Sequence, residues 1–141
     1  MAQLDAYLIF DGTCAEAMRF YERTLGGKIE MMMTHAGSPM AVQTPPAAAD
    51  RIMHARMSLG NRILMASDSM VGQPYEGMHG FSLSLIYPTA AEANQVFAGL
   101  AEGGKVTMPI QKTFWVEAFG MLTDRFGTAW MINGGASGNV A

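Results

Sequence analysis

Hydrophobic positions along the chain fall into short strand-like runs, interrupted twice by helical spacing. In residues 13–31 (TCAEAMRFYERTLGGKIEM), Ala17, Phe20, Tyr21 and Leu25 recur at helical intervals, and in residues 89–108 (TAAEANQVFAGLAEGGKVTM) Ala93, Val96, Phe97 and Leu100 do the same. This spacing predicts two one-sided amphipathic helices. Glu16, Arg19, Glu22 and Arg23 lie largely off the first apolar stripe and read as a solvated face. Each stretch opens on a capping box, Thr13 with Glu16 and Thr89 with Glu92. In such a box the threonine oxygen accepts from an unpaired helix amide while the glutamate reaches back. Pro88 also suits a helix entry. Both stretches end in Gly-Gly-Lys, at 26–28 and 103–105, where glycine can take the left-handed conformation that closes a helix. A phosphate loop places its glycines after a strand and before a helix; here they follow helices.

Strand candidates flank each helix. AYLIF (6–10) and FSLSLIY (81–87) precede them, and KIEMMMT (28–34) and KVTMP (105–109) follow. A hairpin then completes each copy. RIMHARMSL (51–59) and RILMAS (62–67) are joined by Gly60-Asn61, and AFGMLT (118–123) and TAWMIN (128–133) by residues 124–127. Gly-Asn between two such runs signals a two-residue turn. The pattern predicts an α+β fold built from two βαβββ modules. Their curved mixed sheet would enclose a cavity, with the helices outside. Residues 1–134 are expected to form one domain, with module one at about 4–70 and module two at about 80–134. Residues 35–50 and 67–80 read as a loop and a connector, and 135–141 as a flexible tail.

Composition narrows the function classes. The 141 residues carry a net charge of −3, 15% charged residues and no basic run, which gives no footprint for nucleic acid or a membrane surface. The start shows no basic n-region, and no apolar stretch is long enough to span a bilayer. Cys14 is the one cysteine, so no intramolecular disulfide forms and a reducing cytoplasm is expected. It sits at a helix start, where a thiolate is favoured, but no His or Lys in its segment supports activation. The 14 methionines suit core filling first and an adaptable apolar pocket second.

The paired modules resemble the vicinal oxygen chelate superfamily of glyoxalases, extradiol dioxygenases, and bleomycin- and fosfomycin-resistance proteins. The segments YLIFDG, AEAMRFYERTLGG, HARMSLGNRILMASD, FSLSL and GGKVTMPIQKTFWVEAFGMLTDRFGTAWMIN are similar to its PhnB-like branch. That branch has carried a demethylubiquinone methyltransferase name, for which no nucleotide-binding glycine motif is present. In metal-dependent members the resemblance implies four ligands, one from each of four strands. Carried over by spacing, they fall at Ala6, about Met65, Gly80 (with His79 one step away) and Met131. None of the four is a ligand for a hard divalent ion, so no metal cofactor is expected.

If the Gly60-Asn61 turn has two residues, Leu59 pairs with Arg62, Ser58 with Ile63, Arg56 with Met65 and His54 with Ser67. Paired residues project to one face, so His54, Arg56 and Met65 are expected to line the cavity together. Arg56 can hold a carboxylate or phosphonate in a bidentate way, and His54 can act as a base near neutral pH. Both also fit a solvated strand face or a dimer contact. Asp68 either pairs with one of them or starts the following turn. Gln111, Thr113 and Trp115 alternate in MPIQKTFW and, read as one extended segment, share a side with Glu117. They offer an amide, a hydroxyl and an indole to a ligand, or serve packing. Tyr75 and His79 lie in the connector and can close over a ligand, whereas His35 reads as a surface residue. The expected protein is a cytoplasmic homodimer that binds a small molecule, as a binding protein or metal-independent enzyme. A metal-dependent lyase or oxygenase, and a resistance-type sequestering protein, are the alternatives.

Overall fold

The computed structural model describes residues 1–39 and 41–136. The chain divides into two compact units, residues 1–77 and 78–141. The first contains β1 (Ala6–Phe10), α1 (Cys14–Leu25), β2 (Lys28–Thr34), β3 (Ile52–Leu59) and β4 (Arg62–Asp68). The second contains β5 (Leu83–Tyr87), α2 (Ala90–Ala101), β6 (Lys105–Gln111), β7 (Val116–Thr123) and β8 (Ala129–Ala136). Each is a βαβββ module whose four strands form one mixed sheet, in the orders β1-β4-β3-β2 and β5-β8-β7-β6. The first strand of each module runs parallel to the last, and the other pairings are antiparallel. β8 extends two residues beyond the expected end of the domain at 134. Residues 137–141 of the predicted tail lie outside the described residues. The expected loop at 35–50 contains two short 3-10 turns, Ala41–Gln43 and Pro46–Ala48.

Alternation along the strands sets the core. Leu8, Phe10, Ala55, Met57, Leu64 and Ala66 are buried on the face of the first sheet that meets Ala17, Met18 and Tyr21 of α1. In the second unit Leu122, Trp130 and Ile132 are buried with Ala93, Phe97 and Leu100 of α2. Each large side chain so removed from water contributes on the order of 2 kcal/mol.

The duplicated Gly-Gly-Lys has two distinct causes. Gly26 and Gly103 are left-handed, at φ 76° and 73°; Gly26 caps α1, and Gly103 turns the chain one residue beyond Glu102, the cap of α2. Gly27 and Gly104 are close approaches: a Cβ there would stand 2.8 Å from the Ser58 carbonyl oxygen and 2.5 Å from that of Thr123.

The two capping boxes part company. Thr89 accepts from the Glu92 amide at 3.2 Å. Thr13 makes no side-chain cap. The α1 entrance is instead held from β4: Asp68 Oδ1 accepts from the amides of Gly12 at 2.8 Å and Cys14 at 3.0 Å. A carboxylate is the stronger acceptor for unpaired helix amides, and the parallel β1–β4 pairing brings Asp68 beside Phe10.

The expected extended run MPIQKTFW is broken. β6 ends at Gln111 and β7 begins at Val116. Between them the Thr113 hydroxyl accepts from the amides of Trp115 at 3.4 Å and Val116 at 3.3 Å. That local bonding offers the backbone a turn in place of a strand, so Gln111, Thr113 and Trp115 do not share a strand face.

Candidate functional site

The Gly60-Asn61 turn sets the register expected from it: Leu59 pairs with Arg62, Ser58 with Ile63 and Arg56 with Met65. His54 and Arg56 thus share with Met65 the face of the first sheet turned away from α1. β2 brings Met31 opposite Arg56 and Met33 opposite His54. β1 brings Tyr7 opposite Met65 and Ile9 opposite Ser67.

Two irregularities shape this face. The β2–β3 register shifts between Ile29 and Met31 and again between Met33 and Thr34. A bulge puts two successive side chains on the same side and re-aims them. Glu30 is thereby placed to meet Arg56, whose Nε donates to Glu30 Oε1 at 3.0 Å. At the second shift Ile52 returns to the core while Met53 and His54 stay half-exposed. Arg56 is therefore charge-balanced by an acid that spacing alone did not reveal.

His54 has a partner that the sequence reading missed. Its Nδ1 lies 3.2 Å from the Tyr7 hydroxyl, and the two rings stack with centroids 5.7 Å apart at 27°. With Nδ1 engaged, Nε2 is the ring nitrogen available to a ligand. The signal for Tyr7 was the alternation of β1: Leu8 and Phe10 face the core, so Tyr7 and Ile9 face away.

A cleft of about 590 Å³ borders this face, with Ile9, His35, Met53, Ser67, Met70 and Tyr75 among its walls. Tyr75 donates to the Ile9 carbonyl at 2.7 Å, pinning the segment after β4 to β1. His35, expected at the surface, is half-buried here. Asp68 pairs with neither Arg56 nor His54. Besides the two amides at the α1 entrance, its Oδ2 accepts from the Ile52 amide at 2.8 Å. It is a cleft wall and a backbone tie at once.

In the second unit, Thr113, Trp115 and Glu117 border a hollow of about 180 Å³. Trp115 packs edge-on against Phe114 and Phe119, at 4.7 and 5.4 Å between centroids. Gln111 is exposed on β6, opposite Phe119. His79 is exposed in this unit, while Tyr75 belongs to the first.

The observed register moves two of the four carried-over positions, from Ala6 to Tyr7 in the first unit and from Gly80 to Ser84 in the second. Ala6 pairs with Leu64, on the core-facing side, and Tyr7 is the residue opposite Met65. In the second unit Gly80 precedes β5, and Ser84 is opposite Met131. Tyr7 and Met65 in the first unit offer a phenol and a thioether, and Ser84 and Met131 in the second a hydroxyl and a thioether, none of them a ligand for a hard divalent ion. Among the described residues no three His, Cys, Asp or Glu side chains are grouped to hold a metal.

Cys14 is fully buried. Burial, followed by the negative charge of Asp68, pushes its thiol up from 9.0 to about 12. The folded value lies above the unfolded one, so this contribution to stability is complete below about pH 9 and is lost as the pH climbs toward about 12. Urea titrations at rising alkaline pH are expected to show a loss in the native protein that Cys14→Ala lacks. Equal slopes in the two proteins would remove the thiol from this account.

No helix among the described residues is long and apolar enough to cross a membrane. A family model for the Glyoxalase/Bleomycin resistance protein/Dioxygenase superfamily matches residues 3–132. Protein YjdN of Escherichia coli (strain K12) is 36% identical, over 92% of this chain and 93% of its own. The crystal structure of protein PA1353 from Pseudomonas aeruginosa is 47% identical with a TM-score of 0.89, covering 97% of this chain and 100% of that one. A PhnB protein from Bacillus cereus is 25% identical with a TM-score of 0.80, over 94% and 99%.

Proposed function

We propose, for a chain that belongs to the Glyoxalase/Bleomycin resistance protein/Dioxygenase superfamily, that it is a PhnB-like small-molecule-binding protein working without the metal of its chelating relatives. The observation that carries this reading is the Tyr7–His54 contact at 3.2 Å on a face that also holds Arg56, Met31, Met33 and Met65. Imidazole and guanidinium groups there can orient a polar end of a ligand, while thioethers adapt to its apolar part. Because Glu30 balances Arg56, the face offers directional hydrogen bonds more than net charge. His54, paired with a phenol, is the group placed to exchange a proton with a bound molecule if turnover occurs. A metal-dependent lyase or oxygenase needs imidazole or carboxylate ligands, which neither Tyr7 and Met65 in the first unit nor Ser84 and Met131 in the second supply.

The test is a thermal-shift screen of small anions and aromatic compounds on the native protein, repeated with Arg56→Ala and His54→Ala. A hit whose shift is lost in both variants supports the site. An unchanged shift in both removes this face from the function. We further assign the protein to the cytoplasm as a homodimer. The buried free thiol of Cys14 and the edge strands of each sheet support this, since edges favour pairing with a second copy. Light scattering that reports a monomer would dismiss the dimer.

A further inference from the structure

We infer that the cleft of the first unit binds an organic cation, of the quaternary ammonium or protonated arylalkylamine class. This rests on the reading above that the chain binds a small molecule, and it names the ligand's chemistry at the site's border.

The volume, about 590 Å³, falls within the range of roughly 300–1,000 Å³ usual for small-molecule pockets. The charged side chains on its wall are Asp68 and Glu76, and no lysine or arginine lines it. The nearby guanidinium, Arg51, is already matched: it lies 3.0 Å from Asp11 and donates to the Ser69 carbonyl at 3.0 Å. Asp68 is fully hydrogen-bonded, but hydrogen bonding by neutral amides leaves its charge in place. An anion entering the cleft would meet two carboxylates with no unmatched cation beside them, and like charges oppose binding.

The Tyr75 phenol beside Asp68 feels that same charge. Burial raises its pKa first, and Asp11 and then Asp68 raise it further. Its ring forms a fixed wall, because the hydroxyl is tied to Ile9. An aromatic face attracts a cation, and the Met53 and Met70 thioethers and the His35 ring complete a soft, polarisable lining.

Calorimetric titration of the full chain with benzyltrimethylammonium, benzyl alcohol and benzenesulfonate tests this. The expected order of affinity is cation, then neutral, then anion. Glu76→Lys and Met70→Lys, both at exposed positions and so compatible with folding, are each expected to weaken the cation about tenfold. Tighter binding of benzenesulfonate than of benzyltrimethylammonium to the native protein would overturn the cationic assignment while leaving small-molecule binding intact. Cation binding unchanged by both variants would place it elsewhere and also overturn the inference. So would no binding of any probe; the Arg56 and His54 variants then decide the broader reading separately.

Discussion

Asp68→Ala is expected to destabilise the protein by about 3–5 kcal/mol, since each buried amide left without an acceptor costs about 1–3 kcal/mol. Asp68 is 6% exposed and gathers the amides of Gly12, Cys14 and Ile52. These belong to the α1 entrance and the start of β3, segments far apart in sequence. The helix would lose its cap, since Thr13 supplies none, and β3 would lose an anchor beside its bulge. Asp68→Asn keeps one oxygen but turns an amino group toward a donor, so an intermediate loss of about 2 kcal/mol is expected. Urea unfolding measures both. A loss under about 1 kcal/mol for the alanine variant would show that water replaces the carboxylate and that the tie is dispensable.

Gly104→Ala is the second large effect, with an expected loss of about 3 kcal/mol from overpacking. The added Cβ would stand 2.5 Å from the Thr123 oxygen and 2.9 Å from the Asp124 Cα. Both are backbone atoms, and Asp124 is fixed by the Phe126 and Thr128 amides and the Trp130 indole. The strand end therefore has little room to give. The equivalent Gly27→Ala meets the Ser58 oxygen at 2.8 Å and otherwise the flexible end of Met57, so a smaller loss of about 2 kcal/mol is expected. The order, Gly104 worse than Gly27, is what melting curves of the two variants should reproduce. Equal, small losses would mean that the close approaches relax freely.

Most of the scaffold was legible because its signals are local. Helical spacing placed α1 and α2, and the Gly60-Asn61 turn fixed the β3–β4 pairing on which the common face of His54, Arg56 and Met65 depends. The site itself was less legible because its key contacts cross between strands or depend on irregularities. Nothing in KIEMMMT announces the bulge that brings Glu30 to Arg56. Tyr7 meets His54 across β4, 47 residues away in sequence, so their pairing appears only once the parallel β1–β4 register is known. Thr113 was misread because alternation in MPIQKTFW imitates a strand, while its hydroxyl bonds locally and makes a turn. Asp68 reads from the sequence as a turn residue or a partner of Arg56 or His54, and its three amide partners leave no mark there.

We propose that the first βαβββ unit offers a ligand a face of imidazole, phenol, guanidinium and thioether groups in place of a metal centre. Elemental analysis of protein purified without a histidine tag tests it most directly. Divalent metal far below one ion per chain, unchanged after dialysis against manganese or zinc, is the predicted result. A stoichiometric divalent ion that survives dialysis and is lost when Tyr7 or His54 is replaced would contradict it.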